Sequence, residues 1–129
     1  MKRAKILIVE DDDGTAKLIK LLLTSRGHEV CGIVSSGKKA IEKTFKTRPD
    51  LVLMDIQLSG KTDGIMAFEQ VRKVANVPVV FVSAYADKDT IDRAKQCNPS
   101  GYVVKPFKSE DLLGKVESAL DWHRIYAEE

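Results

Sequence analysis

The sequence predicts an α/β fold, a doubly wound parallel sheet of five strands with helices on both faces. Three observations carry this. Apolar runs of strand length alternate with segments of helical period along the 129 residues. The runs are continuous and not alternating, which suits strands covered on both sides. The β-α alternation occurs five times without internal repeats, low-complexity stretches or an evident linker, so a single domain over 1–129 is expected.

Each element has its own signal. Residues 6–9 form the first apolar run, and Asp12 or Asp13 can cap the helix behind it. That helix carries a stripe of Thr15, Leu18, Ile19 and Leu22 and ends at Arg26-Gly27. Residues 30–34 read as the second strand. A helix over about 38–47 follows, with Ala40, Ile41, Thr44 and Phe45 on one side, stopped before Pro49. Residues 51–54 are the third strand, with Asp55 at its end. A turn-rich loop over 59–64 leads to a short helix over 65–73, with Ile65, Phe68 and Arg72 on one side. Residues 79–82 after Pro78 are the fourth strand, 89–96 a helix, and 101–104 the fifth strand. Ser109 caps the last helix, whose first turn holds Glu110 and Asp111, favourable against the helix dipole. That helix is expected to run on to the C-terminus.

Composition excludes several classes. Apolar residues make up 43% and charged residues 31%, ordinary for a globular protein large enough to bury a core. A net charge of +2 is too small to argue for nucleic acid or an anionic membrane. Lys2, Arg3 and Lys5 resemble the basic start of a signal peptide, but the apolar run stops at Val9 and acids follow. No stretch approaches transmembrane length. Cys31 and Cys97 lack metal-ligand spacing and read as reduced thiols, so the cytoplasm is expected.

In open α/β sheets, ligands bind beyond the carboxyl ends of the strands. The residues there are Glu10-Asp11-Asp12, Asp55, Ser83 and Lys105. Taken singly, each has a plain explanation: helix caps, a turn residue, a solvated lysine. Together they sit at one end of one sheet, and carboxylates crowded there repel unless a cation is present. Mg²⁺ prefers one or two carboxylates with waters and phosphate oxygens, and a lysine with a hydroxyl completes a phosphate site. An aspartate that attacks phosphorus needs little beyond positioning and charge stabilisation.

The segments ILIVEDD, PDLVLMDIQLSG…DG, VPVVFVSA and GYVVKPF resemble, in order, the motifs of response-regulator receiver domains in two-component signalling. The resemblance spans nearly the whole chain. It implies the flavodoxin-like strand order 2-1-3-4-5. It makes Asp55 the phosphoacceptor, served by a phosphohistidine of a sensor histidine kinase or phosphotransfer protein. Mg²⁺ is implied at Asp11, at Glu10 through water, at Asp55 and at the backbone carbonyl of Gln57. Ser83 and Lys105 are implied to hold the phosphoryl oxygens, with Ser83 and Tyr102 forming the switch. The bond before Pro106 is implied to be cis. Gln57 and Tyr85, two residues beyond Asp55 and Ser83, are implied to tune phosphoryl lifetime. Phosphorylation is implied to reshape the face made by the fourth helix, fifth strand and fifth helix.

The loop after Asp55 departs from the commoner family version: it is one residue longer and has Ser59 near the usual proline. Asn98-Pro99-Ser100 is also atypical. On the last helix the expected core stripe is Leu112, Val116, Ala119 and His123, flanked by Leu113 and Leu120. Trp122 and Ile125 fall away from it. They read either as scattered surface residues or as part of a weak homodimer face built on helices four and five. His123 reads as a packing residue before a phosphotransfer histidine. Two other functions compete. Asp11-Asp12-Asp13-Gly14-Thr15 matches the DxDGT motif of haloacid-dehalogenase-type phosphatases, which would make Asp11 the nucleophile and leave Asp55 without a role. A pseudo-receiver that binds a protein constitutively would not need the full set of acids, hydroxyl and lysine. No DNA-contacting helix-turn-helix is expected in this domain.

Overall fold

The computed structural model describes residues 3–126. Its elements are β1 (Lys5–Val9), α1 (Asp13–Ser25), β2 (Glu29–Val34), α2 (Gly37–Thr47) and β3 (Leu51–Met54). They continue with α3 (Gly64–Val74), β4 (Val79–Ser83), α4 (Lys88–Lys95), β5 (Gly101–Val104) and α5 (Ser109–Tyr126). All strand pairs are parallel and the order is β2-β1-β3-β4-β5. The doubly wound fold and its strand order are therefore as expected.

Side chains of a strand point alternately to opposite faces, and this divides the apolar runs into two cores. Ile6, Ile8, Leu51, Leu53, Val80 and Val82 pack with α1 and α5. Leu7, Val9, Val52, Met54, Val79 and Phe81 pack with residues of α2, α3 and α4. Together the two cores take apolar residues at successive positions of β1, β3 and β4, which explains the continuous runs there.

Caps and turns fix where the helices start and stop. Asp12 caps α1, accepting from the Thr15 backbone N–H at 2.8 Å, so Asp13 is the first helical residue. Gly27 (φ 84°) closes α1, and Arg48 (φ 49°) in the left-handed region closes α2 before Pro49. Asn98 (φ 53°) does the same after α4, donating its N–H to the Lys95 carbonyl at 3.0 Å. That is a structural role for the atypical Asn98-Pro99-Ser100 segment. Ser109 is not the cap expected. The first turn of α5 closes on the Lys108 carbonyl, which accepts from Leu112 at 3.2 Å, so Ser109 is already helical.

Some helix faces are rotated from expectation. In α1 the buried residues are Ala16, Ile19 and Leu23, while Leu18 is exposed. Phe45 lies outside the α2 face and carries the Arg48 guanidinium over its ring, and Arg72 likewise lies over Phe68. In α5, Leu112, Leu113, Val116, Ala119 and Leu120 are buried, His123 is half-buried and Trp122 is exposed. The side chain of Ile125 and residues 127–129 lie outside the described residues.

Candidate functional site

Backbone pairing brings the acids together. β1 lies between β2 and β3, and Val9 is level with Met54, so the residues after each strand emerge side by side. The Asp55 backbone N–H donates to the Val9 carbonyl at 2.9 Å and extends this register by one step. Glu10, Asp11 and Asp55 each offer a carboxylate oxygen, and these atoms lie within 4.8 Å of one another. Glu10 and Asp55 are buried, whereas Asp11 is exposed. Ser83 ends β4 fully buried, and Lys105 follows β5 with its backbone N–H on the Ser83 carbonyl at 2.8 Å.

Lys105 is the electrostatic centre of the group. Its ammonium donates to Asp55 Oδ2 at 2.8 Å and also to Glu10 Oε1. Burial works against that charge, but the hydrogen bonds to Asp55 and Glu10 outweigh it and hold the Lys105 pKa above the ordinary value. Glu10 goes the other way. Burial outweighs the pull of Lys105, the neighbouring Asp55 adds to it, and the Glu10 pKa is pushed up to about 7. A carboxyl that resists ionising beside two other acids is a group that a divalent cation would relieve. All three acids are hard oxygen donors of the kind Mg²⁺ takes, so the donor set fits that ion.

The loops complete the site. Asp55 Oδ1 accepts from the Gln57 backbone N–H at 3.2 Å, while the Gln57 side chain is exposed. Ser83 Oγ accepts from the Tyr85 backbone N–H at 3.2 Å. The Tyr102 hydroxyl donates to the Tyr85 carbonyl at 2.7 Å, tying β5 to the loop after β4. Tyr102 is half-buried, its ring 6.2 Å from that of Phe81. The Lys105–Pro106 peptide bond is cis. Among the candidate site residues, Glu10, Asp11, Asp55 and Lys105 converge, and Ser83 is tied to Lys105 through the backbone. Gln57, Tyr85 and Tyr102 form the wall beside them.

The longer loop after Asp55 is anchored at Ser59 and at Gly64. The Ser59 hydroxyl and backbone N–H both donate to the Ser35 carbonyl, at 2.7 and 3.2 Å. Gly60 takes φ 90°, a turn that favours glycine. Gly64 then packs directly on the Asp55 backbone, donating to the Ile56 carbonyl at 2.7 Å. A Cβ there would collide with the Asp55 carbonyl oxygen and lie 2.8 Å from Ile56 Cα. Gly64 is thus a site residue to which the sequence analysis gave no role, and the Asp-Gly pair of the loop motif was its signal.

The comparisons with known proteins agree with this geometry. The family model described as "Response regulator receiver domain" matches residues 6–117. The transcriptional regulatory protein PdtaR of Mycobacterium tuberculosis is 31% identical over 120 residues, covering 93% of this chain and 58% of PdtaR. The DNA-binding response regulator MtrA of Mycolicibacterium smegmatis is 31% identical over 118 residues, covering 92% of this chain and 51% of MtrA. The chain therefore spans little more than half the length of these relatives. Among solved structures, the signal receiver domain of a modulated diguanylate cyclase from Desulfovibrio desulfuricans G20 superposes with TM-score 0.89 and 32% identity, covering 96% of this chain and 98% of that one. The N-terminal domain of a response regulator/sensory box/GGDEF protein from Carboxydothermus hydrogenoformans gives 0.87 and 34%, covering 95% and 98%. With the strand order, the acid cluster and the family match in hand, the chain belongs to the receiver domains of two-component response regulators.

Proposed function

We propose that this receiver accepts a phosphoryl group on Asp55 from a phosphohistidine of a sensor histidine kinase or phosphotransfer protein. The observation that carries the reading is the convergence of Glu10, Asp11 and Asp55, with Glu10 and Asp55 sharing the Lys105 ammonium. Asp11, Asp55 and the Gln57 carbonyl would hold Mg²⁺, with Glu10 acting through water. When bound, the ion offsets the charge of the phosphoryl group beside the acids.

The chain's own residues do the rest. An Asp55 oxygen bonds to phosphorus as the phosphorus–nitrogen bond breaks, and that bond's electron pair stays on the imidazole. Lys105 and Ser83 hold the phosphoryl oxygens as charge shifts onto them. The acyl phosphate is later cleaved by water, with Gln57 and Tyr85 at the wall that water must pass. No external substrate is turned over. Ser83 and Tyr102 carry the change to the face of α4, β5 and α5.

Treatment with acetyl phosphate and Mg²⁺, followed by mapping of the modified residue, tests this. The adduct is expected on Asp55 and absent in Asp55→Asn. An adduct on Asp11 with multiple turnover would support the phosphatase, and no adduct with no Mg²⁺ affinity would support the constitutive pseudo-receiver.

The domain is proposed to act in the cytoplasm without contacting nucleic acid. No helix among the described residues is long and apolar enough to cross a membrane. Exposed Trp122 on α5 supports a weak homodimer through α4 and α5. Sedimentation would show self-association that Trp122→Ala reduces. A monomer with and without beryllofluoride, unchanged by the substitution, would rule it out.

A further inference from the structure

The helix α4 buries only Ala94 among its residues, so little apolar packing fixes its position. One polar tie stands out. Arg93 Nη2 on α4 donates to Asp63 Oδ2 at 2.8 Å. The other oxygen of Asp63 caps α3, accepting from the Met66 backbone N–H at 2.9 Å. The next residue is Gly64, pressed on the Asp55 and Ile56 backbone. From the α4 guanidinium to the Asp55 main chain there is thus one continuous path: an ion pair, a cap and a backbone contact. Arg93 and Asp63 also line a cleft of about 360 Å³ with Gln57, Lys61 and Tyr85, beside the phosphoacceptor loop.

We propose that Arg93 is a positioning residue for the chemistry at Asp55, acting through Asp63 and Gly64, so that the stance of α4 and the lifetime of the phosphoryl group are coupled. This rests on the reading of Asp55 as the phosphoacceptor. Coupling of this kind is reciprocal: what shifts α4 changes the Asp55 loop, and an adduct on Asp55 changes the freedom of α4. Part of the pair is open to solvent, with side-chain exposures of 50% for Arg93 and 31% for Asp63. Its effect is therefore modest, about threefold on a rate.

The test uses the whole chain and three single variants. Arg93→Ala removes the charge, Arg93→Lys keeps it, and Asp63→Asn keeps the helix cap but loses the ion pair. Native protein is first phosphorylated with acetyl phosphate and Mg²⁺. If the label does not reside on Asp55, the phosphoacceptor reading itself fails. Given an Asp55 adduct, its half-life should shorten about threefold in Arg93→Ala and in Asp63→Asn. Arg93→Lys should recover most of it, and the Arg93→Ala/Asp63→Asn double variant should match either single change. Hydrogen exchange supplies a readout that mere loss of stability would not move. Beryllofluoride should alter amide protection over residues 88–95 in the native chain and do so less in Arg93→Ala. Unchanged half-lives, additive effects in the double variant, or an equal beryllofluoride response in native and variant would each overturn the proposal.

Discussion

Lys105 Nζ stands 2.8 Å from Asp55 Oδ2 while also bonded to Glu10, so one ammonium spans the acids that end β3 and β1. The Lys105 side chain is 19% exposed and the two carboxylates still less, so the charges are held in a largely desolvated place. Removing one partner of such a group leaves like charges facing each other.

Lys105→Met should therefore destabilise the metal-free protein by about 2 kcal/mol, below the roughly 3–5 kcal/mol for breaking a fully buried pair because one edge of the site is open. Added Mg²⁺ should recover part of that loss. Phosphorylation by acetyl phosphate should still slow by about 100-fold, because a fixed cation at the phosphoryl oxygens is missing. Urea melts with and without Mg²⁺, beside the labelling rate, check both.

Glu10 sets a pH dependence with a definite sign. Its folded-state pKa lies near 7, against an ordinary value of 4.5. The folded chain therefore keeps a proton that the unfolded chain has lost, and the stability linked to that proton is present below 4.5 and lost as pH rises through about 7. A divalent ion favours the ionised form, so the rise in Tm produced by MgCl2 should be larger at pH 8 than at pH 5.5. Glu10→Gln should flatten that difference. Calorimetry at the two pH values decides it, and an equal Mg²⁺ effect at both would count against the assignment of Glu10.

Gly64→Ala should cost about 2 kcal/mol, the scale of forced overpacking, because its Cβ meets main chain and not a movable side chain. The displaced atoms belong to Asp55 and Ile56, so the labelling rate of Asp55 should fall along with stability. Gly60→Ala should cost about 1 kcal/mol through its positive φ, with a smaller effect on labelling, since nothing lies within 4 Å of a Cβ there. Paired denaturation and labelling experiments separate the two glycines.

Tyr102→Phe removes the bond from its hydroxyl to the Tyr85 carbonyl, at a cost of about 1 kcal/mol. The expected signature is faster hydrogen exchange in the loop after β4, with the affinity for Mg²⁺ unchanged. Exchange mass spectrometry and a Mg²⁺ titration read the two quantities.

Strands were the most legible part of the sequence, because a sheet covered on both faces demands unbroken apolar runs, and β3 and β5 begin and end where those runs do. The strand order came from the motifs and not from periodicity. Helix faces were harder. The α1 sequence offers leucines on several sides, and counting large residues favours Leu18 over the small Ala16 that fits against the sheet. Phe45 was grouped with Ala40, Ile41 and Thr44, yet its ring is exposed and lies under the Arg48 guanidinium. At the site, the residue types at the strand ends were readable because topology brings such ends together. What could not be read was contact across the fold: Lys105 on Glu10 as well as Asp55, Gly64 against the Asp55 carbonyl, and His28. That histidine is buried, and its Nδ1 accepts from the Ala4 N–H at 3.1 Å. Each of these depends on the mutual placement of segments distant in sequence.

The central claim is that the crowded acids at this rim let the carboxylate of Asp55 attack phosphorus. Peptide mapping after reaction with acetyl phosphate and Mg²⁺, with Asp55→Asn beside the native chain, tests it most directly. A phosphoryl group found on Asp55 alone, lost in the variant and lost when Mg²⁺ is chelated, is the result expected. Label on another aspartate, or label undiminished in Asp55→Asn, would contradict it.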